Sequence, residues 1–456
     1  MHVELPVAAI VFASLEPIMK GNRADLSHEP EGRSTMNANT RLMFLTPLVA
    51  VLLSGWCNNN ETPKPGTATP TPTKILKTNA PARLEVLTGK EVTFFPGYGY
   101  RDAKGWNIHL RGWAHEPRTH ANAVLTQMAK IKGVCGDIGM KNFQVRISDF
   151  DADDEASEVV IVKFDSDPED KSYTLDKSGP DGIVQTDLVL TDDQAKQLLD
   201  KQGSSNRWLT YRAISTGHTG LGRIRLIESE PNGTSLISDI DDTIKVTEVP
   251  AGQDAIVKNV FCREYQPLPE MAERYRVLGD IPVHYVSGGP DQLFGPIYDF
   301  FIAGPGGFPE GSFHLRFFPK NLRLSEGRKN LRQLGVSTLD ATYKHKIKEI
   351  TTLMKNFPDR KFILVGDSGE VDPEVYSRIR SERPAQVKAI WIRDVINDDE
   401  TNHFRLEGME VIKVNPPVCV QNKHFINLSA RIKESYPTKE YKRNTAPPCD
   451  KEAKKT

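Results

Sequence analysis

"SLISDIDDTIKV", residues 235–246, is the stretch on which the fold turns. Leu236 and Ile237 lead into Asp239, Asp241 and Asp242, and the chain becomes apolar again at Ile244. Like charges repel and a carboxylate beside a core loses solvation, so the cluster needs either a bound cation or a solvated turn. Around it, short apolar strands alternate with amphipathic helical segments. The series runs "TSLISDID" (234–241), "PLPEMAERYRVLG" (267–279), "IPVHYVSGG" (281–289) and "DQLFGPIYDFFIAG" (291–304). It continues through "KHKIKEITTLMKNF" (344–357), "KFILVGDSG" (361–369), "PEVYSRIRSER" (373–383) and "VKAIWIRDV" (387–395). This alternation predicts an α/β domain, a parallel sheet flanked by helices, with chemistry at the carboxyl ends of its strands.

Upstream the pattern differs. Apolar and polar residues alternate in "WNIHLRGWAHE" (106–116), "NFQVRISDF" (142–150), "EVVIVKF" (158–164), "GIVQTDLVL" (182–190), "RWLTYRAIS" (207–215) and "GRIRLIE" (222–228). These read as strands with one buried face, and only "HANAVLTQMAKIKG" (120–133) and "DDQAKQLLDKQG" (192–203) read as helices. A mostly antiparallel β-sandwich over 83–230 is expected, without a catalytic constellation.

The 456 residues are too many for one ordinary core. A net charge of −1 gives no global attraction to nucleic acid or membrane. The cysteines, at 57, 135, 262, 419 and 449, form no CxxC pair, which argues against a zinc site and a dense disulfide framework and leaves the pairing of the last four open. "RLMFLTPLVAVLLSGWC", 41–57, has the layout of a secretory signal. It follows Met36, so residues 1–35 are expected to be a mis-extended reading frame. "LLSGWC" (52–57) resembles a bacterial lipoprotein signal except for the bulky Trp56, which leaves lipidation of Cys57 and simple cleavage as alternatives. The expected organisation is a signal segment over 1–57, a Pro/Thr-rich linker over 58–82, the sandwich over 83–230, the α/β domain over 231–425 and a loosely ordered basic tail over 426–456. Export to the cell envelope, periplasm or exterior follows as an expectation.

Four strand-end features fall in order. Asp239 and Asp241, two apart, can face one cavity. Ser287, followed by Gly288 and Gly289, offers a hydroxyl and backbone N–H groups to phosphate oxygens. "YKHKIKEI" (343–350) places Lys344, Lys346 and Lys348 at the start of a helix, where an anion is favoured. Gly366-Asp367, with Asp372 five residues on, supplies hard oxygen ligands. Taken singly, these are ordinary turns and a solvated helix face; their order at successive strand ends is what carries weight.

"DIDDTIK" (239–245), "VSGGP" (286–290), "GFPEGSFHLR" (307–316) and "FPDRKFILVGDSGEVDPEVY" (357–376) resemble the haloacid-dehalogenase-like (HAD) phosphatases, and more closely the actin-patch phosphatidate phosphatase family. The resemblance covers about 234–395. It implies a HAD-like Rossmannoid fold and a magnesium-dependent phosphatase. Asp239 would be the nucleophile and Asp241 the general acid and base. Mg2+ would sit on Asp239, Asp367 and the backbone carbonyl of Asp241, with Asp372 supporting it through waters. Thr243, Ser287, Gly288 and a lysine, Lys346 in preference to Lys344, would hold the phosphoryl group, while Asp242 shapes the loop.

The gaps between motifs leave little room for a large lid, which suits a lipid headgroup but also a phosphoprotein or a polynucleotide end, and the same chemistry on a phosphoprotein or soluble phosphoester is the alternative activity. "FHLRFFPKNLRLSEGRKNLR" (313–332) carries Arg316, Lys320, Arg323, Arg328, Lys329 and Arg332 beside Phe317 and Phe318. At an anionic bilayer each basic residue contributes about 1 kcal/mol, although the same stretch also reads as a buried strand followed by a solvated loop. A phospholipid substrate and a membrane surface are the expected partners, with no nucleic acid. A non-catalytic envelope-binding module is the alternative from a different class.

Overall fold

The computed structural model describes residues 90–449, apart from 132, 216–217, 303–306, 319–337 and 444. The signal-like segment, Cys57, the linker and most of the basic stretch (Lys320 to Arg332) lie outside the described residues.

The first sheet contains β1 (Glu91–Phe94), β2 (Gly97–Asp102), β3 (Gly105–Glu116), β4 (Asp153–Asp154), β5 (Ile161–Phe164), β6 (Ser172–Thr174), β7 (Ile183–Leu190), β8 (Trp208–Ala213) and β9 (Leu221–Ile227). Its order is β1-β3-β2-β9-β8-β5-β6, with β4 and β7 also on β3, and only β2 and β9 pair in parallel. Beyond β6, the Leu175 N–H donates to Val160 O and the Asp176 N–H to Gln185 O of β7, which links the β6 end of the path back to β3 through β7. The sheet thereby wraps one core that contains Ile108, Leu110, Val162, Phe164 and Tyr211. Helix α1 (Thr119–Ile131) and helix α3 (Asp192–Gln202) fall on the two stretches read as helical. Helix α3 starts in a capping box made by Thr191 and Gln194 and ends at Gly203, whose φ of 62° is left-handed.

"NFQVRISDF" is a correction. It forms most of helix α2 (Gly136–Phe150), not a strand. Phe143, Val145 and Ile147 mimic a two-residue period, but Phe143, Ile147 and Phe150 also recur at helical spacing, and all three are fully buried. Phe143 and Phe150 pack on Phe261 of the second sheet's region, and a disulfide joins Cys135 to Cys262.

The second sheet is wholly parallel. It consists of β10 (Thr234–Ser238), β11 (Val283–Pro290), β12 (Ser312–Arg316), β13 (Lys361–Asp367), β14 (Val387–Asp394) and β15 (Glu410–Lys413), in the order β12-β11-β10-β13-β14-β15. The chain runs outward from β10 to β12, then returns to the other side of β10 at β13, which opens a crevice at the carboxyl ends of β10, β11 and β13. The longer helices among the described residues are α4 (Pro269–Val277), α5 (Phe294–Ile302), α6 (Thr338–Asn356), α7 (Asp372–Glu382) and α8 (Asn422–Ser435). A helix-flanked parallel sheet preceded by a mostly antiparallel one is the expected architecture. Helix α8 runs across the expected boundary at 425 and buries Leu428 and Ile432, side chains worth about 1.5–3 kcal/mol each. Phe425, Leu428 and Ile432 supply its apolar stripe.

Candidate active site

The Asp239 N–H donates to Val365 O at 2.9 Å, so β10 delivers this aspartate, fully buried, to the centre of the crevice. The chain then turns tightly: the N–H groups of Ile244 and Lys245 both donate to Ile240 O, and Asp242 takes a left-handed φ of 52°. This turn sends the three aspartates in different directions. Asp241 enters the cavity. Asp242 points into the next loop, where its carboxylate accepts from the N–H groups of Thr247, Glu248 and Val249 at 2.9, 2.7 and 2.6 Å. Thr243 donates its hydroxyl to Asp239 Oδ2 at 3.3 Å.

Ser287, in β11 just past Val286, where the regular pairing with β12 breaks off, accepts the Gly289 N–H on its hydroxyl at 3.1 Å. A Cβ on Gly288 would lie 2.7 Å from Thr342 Oγ1, so this backbone passes close against helix α6. Lys346 is fully buried, with its Nζ 3.0 Å from Asp239 Oδ1 and in contact with Asp372 Oδ1. Lys344 and Lys348 on the same helix are exposed. The helix begins at Thr338, so Lys346 lies in its third turn. The expected location at a helix start is corrected, and the ammonium charge alone is what Lys346 brings.

Asp367 ends β13. Its Oδ1 accepts the Gly369 N–H at 2.7 Å, whereas its buried Oδ2 has no hydrogen-bond partner. Asp372 accepts the Asp367 N–H at 3.2 Å and pairs with Lys346, so it supports both neighbours. Two further side chains at the site are absent from the sequence reading. Glu370 offers a carboxylate oxygen that, with those of Asp239 and Asp367, makes a set within 4.8 Å of one another. Its signal is its place in "GDSGEVD", three residues after Asp367. Lys245, almost fully buried, bonds Asp241 at 2.8 Å, and its signal is a lone charge inside the apolar "TIKV".

The electrostatics follow from burial. Desolvation pushes Asp239 up to about 7 against the opposing pull of Lys346. It pushes Glu370 up to about 8 and Asp367 well above the ordinary range, with Asp372 and Asp239 adding to the Asp367 shift. Burial also acts upward on Asp241, but Lys245 and Thr247 outweigh it and hold that carboxyl low. Burial lowers Lys346, yet Asp239 and Asp372 raise it further, so it stays charged. Ionised together, Asp239, Asp367 and Glu370 would carry more negative charge than Lys346 offsets, which is why without a further cation these carboxyls hold their protons to higher pH. Asp367 Oδ2 is left unpaired, and the donors are hard oxygens, a set that fits a divalent cation.

Above these groups opens a cavity of about 310 Å³. Its polar lining includes Asp241, Lys245, Gly289 and Glu370 together with Gln421 and Lys423, and its apolar wall includes Ile256, Val260, Leu293, Ile297, Phe318 and Leu339.

Residues 234–394 match the family described as the catalytic domain of phosphatidate phosphatase APP1. Phosphatidate phosphatase APP1 of Saccharomyces cerevisiae is 35% identical over 168 residues, 36% of this chain and 26% of that protein. An uncharacterized protein of Schizosaccharomyces pombe is 29% identical over 242 residues, 50% of this chain and 38% of that one. The match thus spans about a quarter to two-fifths of these relatives' length. The crystal structure of Parabacteroides merdae β-glucuronidase, at 11% identity and a TM-score of 0.20 over 66% of this chain and 40% of that one, is too unlike it to bear on the fold. Over residues 234–394 the chain is similar to the phosphatidate phosphatase APP1 catalytic domain, the family that its four motifs resemble.

Proposed function

We propose that the chain is a magnesium-dependent HAD-type phosphatase that hydrolyses phosphatidate to diacylglycerol and phosphate through an aspartyl-phosphate on Asp239. The observation that carries this reading is the meeting of Asp239, Asp241, Ser287, Lys346 and Asp367 at three adjacent strand ends, with the cavity's apolar wall directly above. An apolar wall over an anionic floor suits a phosphate on an acyl-bearing alcohol.

A carboxylate oxygen of Asp239 attacks phosphorus while Asp241, in the form that has taken up a proton against the pull of Lys245, protonates the departing alkoxide. Asp241, now ionised, takes a proton from the water that hydrolyses the aspartyl-phosphate. Lys346, Ser287 and the N–H groups of Gly288 and Gly289 hold phosphoryl oxygens and offset their charge. Asp239, Asp367 and Glu370 would hold Mg2+, with Asp372 behind them, and the ion would neutralise charge on the transferring oxygens.

We further propose export. The paired Cys135–Cys262 and Cys419–Cys449 support it, because disulfides persist in oxidising compartments. No helix among the described residues is long and apolar enough to cross a membrane.

The test is phosphate release from phosphatidate in mixed micelles, with and without Mg2+, for the wild type and Asp239→Asn. Mg2+-dependent release that the variant lacks is the expected result. Release only from p-nitrophenyl phosphate would keep the chemistry and discard the lipid. Release from neither ester, by folded metal-loaded protein, would overturn the reading in favour of a binding module.

A further inference from the structure

We propose that Lys245 and Thr247 are positioning residues for Asp241. They fix one oxygen of its carboxyl so that the other is presented to the leaving group. The inference rests on the phosphatase reading above and adds to it the residues that orient its acid.

Asp241 Oδ1 is held twice. Lys245 Nζ donates to it at 2.8 Å, and the Thr247 hydroxyl donates to it at 2.5 Å. Lys245 Nζ also donates to Thr247 Oγ1 at 2.6 Å, which closes a ring of three groups. The remaining side of the ammonium faces the Tyr265 ring, 4.8 Å from its centroid. The Lys245 side chain is only 2% exposed, so the charge is committed to this cluster and is not left for a phosphate.

The other oxygen points elsewhere. A Cβ on Gly289 would lie 3.4 Å from Asp241 Oδ2 and 3.4 Å from Ser287 Oγ, so Oδ2 faces the Ser287–Gly289 loop that would cradle the phosphoryl group. The two oxygens are therefore not equivalent. Oδ1 accepts two hydrogen bonds and could carry a proton only by breaking one of them. Oδ2 is the oxygen that can exchange a proton with the substrate.

The step balances as follows. As an Asp239 oxygen bonds to phosphorus, the bond from phosphorus to the ester oxygen breaks and its electron pair stays on that oxygen, which takes the proton from Oδ2. In hydrolysis, water bonds to phosphorus, the Asp239–phosphorus bond breaks, and the water's proton returns to Oδ2. A general acid is worth about 10²–10⁴-fold only when its donor lies within hydrogen-bond reach of the accepting atom, so freeing the carboxyl to rotate forfeits part of that factor.

Leaving-group dependence tests this. An alkoxide needs a proton to depart and a nitrophenolate does not, so kcat/KM is compared for dioctanoyl phosphatidate and p-nitrophenyl phosphate. Lys245→Met, of similar length and uncharged, is expected to lower kcat/KM for the alkyl ester about tenfold or more beyond its effect on the aryl ester. Thr247→Val is expected to shift the ratio the same way by less, and Thr247→Ser, which keeps the hydroxyl, to restore it. If Lys245→Met fails to fold, the Thr247 pair decides alone. Equal losses on both esters in a folded variant, or a rise in KM alone, would overturn the proposal and leave the phosphatase reading standing. A wild type inert on both esters would overturn both.

Discussion

Two buried charge clusters share the loop that follows β13, and they are built to opposite rules. Arg405 donates from Nε and Nη2 to the two oxygens of Glu374 at 2.8 and 2.9 Å and pairs through Nη1 with Asp398. All three side chains are buried, and none has an unpaired polar atom. On the other side of the loop, Asp239, Asp367, Glu370 and Asp372 lie together with a single ammonium, that of Lys346, which pairs with Asp239 and Asp372, and Asp367 Oδ2 has no partner. The first cluster is complete in itself, as a structural ion network must be to offset its desolvation. The second is incomplete, and the deficit is positive charge. The complete cluster also holds the incomplete one: Arg405 donates to Ser368 O at 2.9 Å and to Glu370 O at 3.0 Å, fixing the backbone between Asp367 and Glu370.

The largest expected effect breaks the comparison on the functional side. Asp239→Asn removes the nucleophile, and phosphate release should fall by about 10⁴-fold or more, as removing a covalent nucleophile does elsewhere. Its stability should not fall, because one of several crowded carboxylates has become neutral. A urea midpoint at or above that of the wild type, with activity gone, is the expected pair of measurements. Arg405→Met should do the reverse. It leaves Glu374 and Asp398 buried and uncompensated, a loss of about 3–5 kcal/mol, read as a lower urea midpoint. If both variants lose stability equally, the two clusters do not differ in the way described.

A smaller effect separates Glu370 from Asp372. Glu370→Gln should weaken Mg2+ binding about 10–100-fold, the loss seen even for groups that only support a ligand, measured by titration calorimetry without substrate. Asp372→Asn should weaken it less, since Asp372 is occupied with Lys346 and the Asp367 N–H. The opposite ranking would place Asp372 on the ion and Glu370 behind it.

That ranking could not be read from the sequence, and the reason is geometric. Strand ends were legible because β10, β11 and β13 are apolar runs that stop abruptly at Asp239, Ser287 and Asp367, and a buried run interrupted by a charge can be seen in one dimension. Which carboxylate of "GDSGEVD" faces inward depends on how the loop winds between β13 and α7. Lys346 was distinguishable from Lys344 only as a preference, since adjacent helix faces differ in burial once the helix has docked. Helix α2 was missed because a short segment with apolar residues at 143, 145, 147 and 150 satisfies both periods, and contact with Phe261 decides between them. Lys245 was invisible for a related reason: its partner Asp241 is four residues away, and only the tight turn at Ile240 brings them together.

The effect expected in acid–base behaviour sharpens the comparison most. Burial raises Asp239 from 3.8 to about 7 and Glu370 from 4.5 to about 8. Between the unfolded and folded values the native state holds more protons than the unfolded state. Unfolding free energy must therefore fall as pH rises through about 4 to 8, with a slope of at most about 1.4 kcal/mol per pH unit for each proton. Below that window both states are protonated and the difference vanishes. Asp398, raised to about 6 chiefly by burial, contributes a slope of the same sign from the complete cluster. His345, lowered to about 4 by burial, contributes one of opposite sign. Differences between samples isolate the site. Saturating Mg2+, or Asp239→Asn, should flatten the part of the curve due to Asp239 and Glu370 and leave the parts due to Asp398 and His345 in place. A curve that Mg2+ does not flatten would mean that the excess charge at β10 and β13 is not where the ion binds.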